Sequence, residues 1–175
     1  MVAALLLTSI AWGGNSLAVS HGSSDGKSLQ SAQPADLNIV LSEFAGKEYL
    51  ESLLQKLNDP DPFVRVEAVQ ALGEIQKVEA LVSVCECLYD ENIYVRAYAA
   101  EALGKIGQVD ISLALLRLIS ALDDSSPYVR AMMVAALGEL QDERAVDPIR
   151  KLLHDEDESV RIMAKWALNK IEASQ

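Results

Sequence analysis

The residue types that most often act as catalytic bases, nucleophiles or metal ligands are sparse in this chain. The two histidines are His21, in a polar segment, and His154, at the end of a predicted helix. Cys85 and Cys87 share a predicted helix, where residues two apart point in nearly opposite directions and cannot bind one metal ion together. No zinc-protease, nucleophile-elbow or Cys/His cluster motif is present. The sequence therefore predicts no catalytic residue, metal site or cofactor, and it favours a non-catalytic role.

A second set of charged residues recurs at a regular spacing. An aspartate is followed six residues later by an arginine, and a valine precedes each arginine. The pairs are Asp59 and Arg65, Asp90 and Arg96, Asp124 and Arg130, and Asp155 and Arg161. Successive copies are roughly 31–34 residues apart, which is typical of stacked repeats. Since every arginine has a carboxylate to neutralise it, we expect a structural ladder of Asp–Arg bonds within or between repeats, rather than an anion-binding site.

The segment around each pair predicts two helices, A and B. Good helix N-cap residues stand three positions before each valine, so helix B begins there; they are Asp61, Asn92, Ser126 and Asp157. Apolar residues at 3–4 spacing follow the cap, and a similar stripe precedes the turn in helix A. Neither helix can bury its stripe alone, so the stacking of repeats must provide the core. Cys85 lies on the apolar stripe of its helix and is expected to be buried.

The order of turn Asp, Val-Arg and then Ala-x-x-Ala-Leu-Gly-x-Ile resembles HEAT-like repeats of the type first described in phycobilin lyases. The resemblance covers residues 47–171. It implies an all-α fold, a right-handed α-solenoid of four two-helix repeats at about 47–76, 77–107, 108–141 and 142–172. Most proteins with such repeats are scaffolds or adaptors, so the resemblance also implies a protein partner.

Two enzyme groups share this type of fold. Deoxyhypusine hydroxylases build a di-iron site from His-Glu pairs, whereas here His21 precedes Gly22 and His154 precedes Asp155. Phycobilin lyases bind an open-chain tetrapyrrole, and no residue of this chain is specific for that ligand. A lyase-like or accessory protein that binds a tetrapyrrole is therefore the alternative function, and a HEAT-repeat oxidoreductase comes third.

The resemblance implies that the B helices line the concave side of the stack. The expected partner-binding residues on their outward positions are Glu67, Gln70, Glu74, Tyr98, Glu101, Lys105, Met132, Glu139, Met163, Trp166 and Lys170. Tyr98 and Trp166 either anchor a partner or pack between adjacent B helices, and the two methionines are expected to pack. Apolar side chains rimmed by carboxylates are typical of a protein-binding groove. We therefore expect a non-catalytic scaffold or adaptor that binds a protein along this face.

The charge balance narrows the class of partner. Asp and Glu number 26 against 15 Lys and Arg, for a net charge of −11. Nucleic acids and anionic membrane surfaces both need a basic patch, so neither is an expected partner.

In the last copy Lys165 and Asn169 replace an apolar residue and a glycine. This substitution favours a capping repeat, a solenoid that ends near residue 171, and a monomer.

The N-terminal residues differ from the repeats. Residues 1–18 combine an apolar run with small residues, which predicts a signal peptide and export to the periplasm or outside the cell. The apolar run is too short to span a bilayer, and no Lys or Arg precedes Lys27. The alternative is a cytoplasmic protein whose hydrophobic N-terminal helix packs on the first repeat. Residues 19–46 are expected to form a linker with a short capping helix at 36–44.

Overall fold

A computed structural model of the chain describes residues 34–108 and 110–174. The predicted signal peptide at 1–18 and residues 19–33 of the predicted linker lie outside the described residues. The chain divides into two units, Met1–Asn38 and Ile39–Gln175, and the repeats lie in the second.

The described residues form four helical hairpins in succession. Each hairpin joins a helix A to a helix B through a short turn. The A helices are α1 (Pro34–Lys56), α3 (Leu81–Glu86), α5 (Ile111–Ser120) and α7 (Val146–Lys151). The B helices are α2 (Pro62–Ile75), α4 (Ile93–Ile106), α6 (Pro127–Leu140) and α8 (Glu158–Glu172). The predicted all-α solenoid of helical hairpins is confirmed, and its handedness stays a prediction.

The B helices begin at the predicted cap residues. The Asp61 carboxylate accepts a hydrogen bond from the Phe63 amide at 2.9 Å, which satisfies an N–H group that has no partner inside the helix. Asn92 and Asp157 bond the first turns of α4 and α8 in the same way. Ser126 occupies the cap position of α6 without a side-chain bond. There Pro127 has no N–H group to satisfy, as suits the first helical position.

Helix α1 differs from the prediction. Its 23 residues form one helix, so the expected boundary between linker and first repeat, at 46/47, falls inside it. The expected short helix at 36–44 is the first part of α1 and not a separate element. Gly46 lies at the expected boundary, but a Cβ atom built there would meet no atom within 4 Å, and no proline follows it within α1. The helix therefore runs on into the first repeat.

One apolar core runs through the four hairpins. The A helices contribute the predicted stripes, including Leu53, Val84, Leu118 and Ile149, all of which are buried. The B helices contribute residues such as Leu72, Leu103, Leu137 and Ile171, also buried. Because these side chains are buried between adjacent repeats, the stability of each repeat depends on its neighbours.

Successive B helices approach each other at a glycine of one and an alanine of the next. A Cβ atom built on Gly73 would lie 3.0 Å from the Cα atom of Ala102. The corresponding distances are 3.2 Å from Gly104 to Ala136 and 3.0 Å from Gly138 to Ala167. Real Cβ atoms rarely come this close, so these glycines are the residues that let the B helices pack tightly.

Candidate functional site

The arginine in each of the first three repeats binds the turn of the next repeat. Arg65 donates from Nε and Nη2 to the two carboxylate oxygens of Asp90, at 2.9 and 2.8 Å. Its Nη1 donates to the carbonyl oxygen of Asp59, at 2.9 Å, in its own turn. One guanidinium therefore joins two A–B turns, with the two-pronged geometry in which arginine binds carboxylates best.

The same arrangement recurs in the next two repeats. Arg96 binds the carboxylate of Asp124 at 2.7 and 3.0 Å, and Arg130 binds that of Asp155 at 2.9 and 2.8 Å. Each aspartate also accepts a bond from the backbone amide two residues ahead, as Asp155 does from Asp157 at 2.9 Å. The hydrogen bond from Arg130 lowers the pKa of Asp155, and the Asp155 carboxylate raises the pKa of Arg130.

These arginines are not available to an external anion. Arg65 and Arg130 are only 7% and 8% exposed, and their donors are already bound to carboxylate and carbonyl groups. Their geometry is that of a structural connection between repeats.

The two ends of this ladder are different. Arg161, in the last repeat, donates from Nη1 to the carbonyl oxygens of Asp155 and Glu156 at 2.7 and 2.9 Å, and it pairs with no carboxylate among the described residues. The carboxylate of Asp59, in the first repeat, accepts a hydrogen bond from the Asp61 amide at 2.9 Å and forms no ion pair with a described arginine. The chain thus contains a natural comparison between a complete and an incomplete connection.

All of the charged residues predicted on the outward side of the B helices, except Glu67, lie near the C-terminal ends of these helices. Lys105 Nζ lies 2.7 Å from Glu74 and 2.8 Å from Glu101. Lys170 Nζ lies 2.5 Å from Glu139. A groove of about 630 Å³ runs beside them and is also lined by Met132. We call the surface formed by the outward residues of α2, α4, α6 and α8 the B-helix face.

Glu67 and Gln70 are also exposed on this face, on α2. Neither lines the groove of about 630 Å³, and neither forms an ion pair or side-chain bond within the described part of the chain. The structure therefore does not gather all of the predicted residues into one site.

The predicted apolar residues both pack and reach the surface. Tyr98, Met132 and Met163 are half-buried against the core. Trp166 is 40% exposed, and its ring lies against Gly138. The Nζ atom of Lys170 is 4.9 Å from the centroid of that ring, within the range of a cation–π contact. Trp166 therefore has a packing role as well as an exposed edge.

A row of aromatic residues that the sequence analysis did not select lies at the N-terminal ends of the B helices. Phe63, Tyr94 and Tyr128 are 76%, 53% and 43% exposed. The rings of Tyr94 and Tyr128 meet edge to face, with centroids 6.4 Å apart. These residues stand immediately before the Val-Arg pair in three of the four copies, and that recurrence was the available signal. The predicted partner-binding residues all follow the valine, so they do not include this row.

Two of these aromatic residues line a second groove, which we call the aromatic groove. Its volume is about 450 Å³, and its lining residues are Pro62, Phe63, Val66, Asn92, Tyr94 and Tyr98. The groove lies between α2 and α4, so it exists only because two repeats are stacked.

The Cys and His side chains of the described residues are two buried thiols and one exposed imidazole. Burial raises the pKa of the Cys85 thiol to about 11 and that of the Cys87 thiol to about 12, so neither is a thiolate at neutral pH. His154 is exposed at the end of the 3₁₀ segment Leu152–His154. The described residues contain no group of His, Cys, Asp and Glu side chains that could hold a metal ion. Within the same residues, no helix has both the length and the apolar character needed to cross a bilayer.

Comparison with solved structures gives similar folds. Human deoxyhypusine hydroxylase, in complex with glycerol, matches with a TM-score of 0.65 and 20% identity over 77% of this chain and 47% of the hydroxylase. The chain thus spans about half the length of that enzyme. Two engineered proteins match with TM-scores of 0.55 and 0.53 and identities of 21% and 22%. The first match covers 78% of this chain and 67% of the engineered protein, and the second covers 81% and 41%. At these identities the likeness concerns the fold alone.

Comparison of sequences identifies the repeats. No curated protein matches the chain significantly. The sequence model of the family described as HEAT repeats matches residues 50–117 and 115–175, which together include all four B helices. These matches coincide with the helical hairpins, the Asp–Arg connections and the Gly–Ala contacts described above. The chain belongs to the HEAT repeat family.

Proposed function

We propose that this chain is a non-catalytic scaffold or adaptor that binds a protein partner along its B-helix face. The observation that carries the proposal is the row of exposed aromatic side chains at the N-terminal ends of α2, α4 and α6. Aromatic residues are enriched among the side chains that dominate binding energy at protein interfaces. They also lose little conformational entropy on binding, since they have only two side-chain torsions.

The structure of the face supports a preformed interface. The aromatic residues stand on helices whose positions are determined by the Asp–Arg connections and the Gly–Ala contacts, so their relative placement does not depend on the partner. A rigid surface avoids part of the ordering cost that association otherwise imposes. The ion pairs at the C-terminal ends of the B helices provide a polar border to this surface.

The finer subtype and the location of the protein are part of the same proposal. The turn Asp, the Val-Arg pair and the Ala-Leu-Gly run support assignment to the phycobilin-lyase type of HEAT-like repeat. The apolar residues at 1–18 support export. Hydroxylase activity is not proposed, since neither histidine in the sequence precedes a glutamate.

Affinity capture from native extract tests the proposal. The bait would be the wild-type chain, beside the double variant Tyr94→Ala/Tyr128→Ala and the control Val82→Ala/Leu116→Ala. The control removes exposed apolar side chains of similar exposure from α3 and α5, which are A helices. Tyr94 and Tyr128 are preferred to Trp166 as targets, because Trp166 also packs against Gly138.

We expect a protein that is recovered by the wild type and by the A-helix control and is lost by the folded tyrosine variant. Circular dichroism would establish that each bait is folded. Equal recovery by all three baits would contradict binding along the B-helix face.

A further inference from the structure

We infer that the aromatic groove binds an extended segment of the partner protein that carries arginine or lysine side chains. This inference rests on the proposed function and gives the chemistry of the partner. It concerns the N-terminal ends of the B helices and not the ion-paired groove at their C-terminal ends.

The size and direction of the groove favour an extended segment. At about 450 Å³ it can hold a few side chains but not a folded domain. It is lined from both α2 and α4, and Tyr128 of α6 continues the aromatic row through its edge-to-face contact with Tyr94. A ligand that contacts the whole row must therefore cross successive B helices. Extended peptides use aromatic-lined grooves in this way, with main chain along the groove and side chains between the rings.

The charges around the groove favour a cationic ligand. Glu67 is exposed one helical turn after Phe63, and it forms no ion pair with any described residue. Glu91 directly precedes the lining residue Asn92, and its side chain is 88% exposed. Its only ion pair in the described chain is the 3.5 Å contact with Arg65, whose guanidinium is already bonded to Asp90.

The described cations near the groove are bound mainly to other carboxylates. Arg65 and Arg96 belong to the helical turns that carry Phe63 and Tyr94, but their guanidinium groups bond Asp90 and Asp124. Lys105 stands near the other end of α4 and pairs with Glu74 and Glu101. The groove thus presents open aromatic surfaces near Glu67, which has no ion pair in the described chain, and near Glu91, which shares Arg65 with Asp90, within a chain of net charge −11.

Arginine and lysine fit both features at once. A guanidinium or ammonium group is attracted to the face of a tyrosine or phenylalanine ring, and guanidinium also stacks on it. The long aliphatic part of either side chain covers apolar surface while the charged end reaches a carboxylate at the rim. A neutral or acidic segment would bury the rings but add no cation for Glu67 or Glu91.

Selection of peptides from a random dodecapeptide display library tests the inference. The folded wild-type chain is the target, and peptides that also bind Phe63→Ala/Tyr94→Ala are removed. A selected peptide is then measured against the charge variant Glu67→Gln/Glu91→Gln. The matched control, Glu79→Gln/Glu143→Gln, has the same net charge but changes exposed carboxylates beside A helices.

We expect Lys and Arg to be about threefold more frequent in the selected peptides than in the input library. The charge variant should bind a selected peptide about 5–10-fold more weakly than the wild type, and the control should bind it within about twofold. The inference is wrong if the selected peptides are neutral or acidic, if both charge variants behave alike, or if selection yields no peptide that distinguishes the groove variant. The proposed function is tested separately, by native capture. If Tyr94→Ala/Tyr128→Ala loses the native partner while any of these results is found, the proposed function stands and only the basic ligand is wrong.

Discussion

Single arginine side chains connect neighbouring repeats in this protein. The Asp–Arg spacing is visible in the sequence, and so is the need to neutralise each charge. The choice of partner is not visible, because an arginine could bind the aspartate of its own turn or that of the next one. The structure places the guanidinium of Arg65, Arg96 and Arg130 on the carboxylate of the following repeat and on carbonyl groups of their own turn. The way two repeats stack therefore determines which aspartate each arginine binds, and the pattern of a single repeat does not contain that information.

Replacement of one such arginine should therefore weaken the junction between repeats. We expect Arg96→Ala to lower the free energy of unfolding by about 2–4 kcal/mol, because it leaves the nearly buried Asp124 without its cation. The matched control is Arg161→Ala, which removes bonds to two carbonyl groups but no ion pair with a described carboxylate, and should cost about 1 kcal/mol. Urea unfolding followed by circular dichroism measures both. Equal losses would show that the carboxylate contributes nothing.

The same bonds predict how stability depends on pH. The hydrogen bond from Arg130 lowers the pKa of Asp155 in the folded protein below its value in the unfolded chain. Asp155 therefore stabilises the fold fully above its unfolded pKa of about 4, and this contribution is lost as the pH falls through the lower folded value. We expect similar urea midpoints at neutral and mildly acidic pH and a fall below about pH 4.

Asp155→Asn provides the control for this pH dependence. It should lower the midpoint at neutral pH and make the acid-induced fall smaller than in the wild type. An identical acid profile in the two proteins would contradict the assigned role of Asp155.

At the scale of helices, the sequence predicts the first residue of each B helix, but it does not predict the extent of the first A helix. Cap residues and the apolar spacing indicate the starts of α2, α4, α6 and α8, and proline at the first position adds to this signal in α2 and α6. Local chemistry is sufficient there. Helix α1 also begins with a proline, Pro34, but its residues 42–49 are exposed, so no buried stripe indicates its extent. The apolar pattern therefore predicts two elements where the structure has one helix.

Glycine in the B helices is explained by contacts between helices and not by helix preference. Gly138→Ala would place a methyl group 2.9 Å from the Cβ atom of Ala167 and 3.0 Å from its Cα atom. We expect it to reduce the free energy of unfolding by about 1–3 kcal/mol, because the backbone of α8 must move. Thermal or urea unfolding measures the change.

Gly46→Ala is the matched control for this prediction. A Cβ atom on Gly46, in α1, would meet no atom within 4 Å. There the higher helix preference of alanine should stabilise the protein by about 0.5–1 kcal/mol. The packing explanation fails if both substitutions change stability in the same direction.

At the scale of the whole molecule, the repeat architecture follows from the sequence but the proposed binding surface follows only in part. The period, the caps and the apolar stripes recur in every copy, so each copy supports the same fold. The aromatic groove cannot be recognised within any single copy, because it combines Phe63 and Val66 of α2 with Tyr94 and Tyr98 of α4. A reading of one repeat at a time selects Tyr98 and overlooks Phe63 and Tyr94. Surfaces formed between repeats are what a single-repeat pattern cannot reveal.

The last repeat should control the association of this chain. Val69, Ala100 and Val134 are fully buried in the first three repeats, whereas the corresponding Lys165 is exposed on α8. We expect Lys165→Leu to join the exposed Ile162 in an apolar patch and to promote oligomers, since such patches drive association. Size-exclusion chromatography with light scattering measures the mass. The control Lys77→Leu, in the segment between α2 and α3, should have the same mass in solution as the wild type, which we expect to be a monomer. Monomers of both variants, or oligomers of both, would contradict the role of Lys165.

Photo-crosslinking in native extract tests the proposed binding face most directly. Benzoylphenylalanine at position 94, on the B-helix face, would be compared with the same residue at position 116, which is exposed on the A helix α5. We expect a discrete protein adduct from position 94 that disappears when Phe63→Ala is added, and no such adduct from position 116. Equal adducts from both positions, or an adduct from position 116 alone, would contradict partner binding along the B helices.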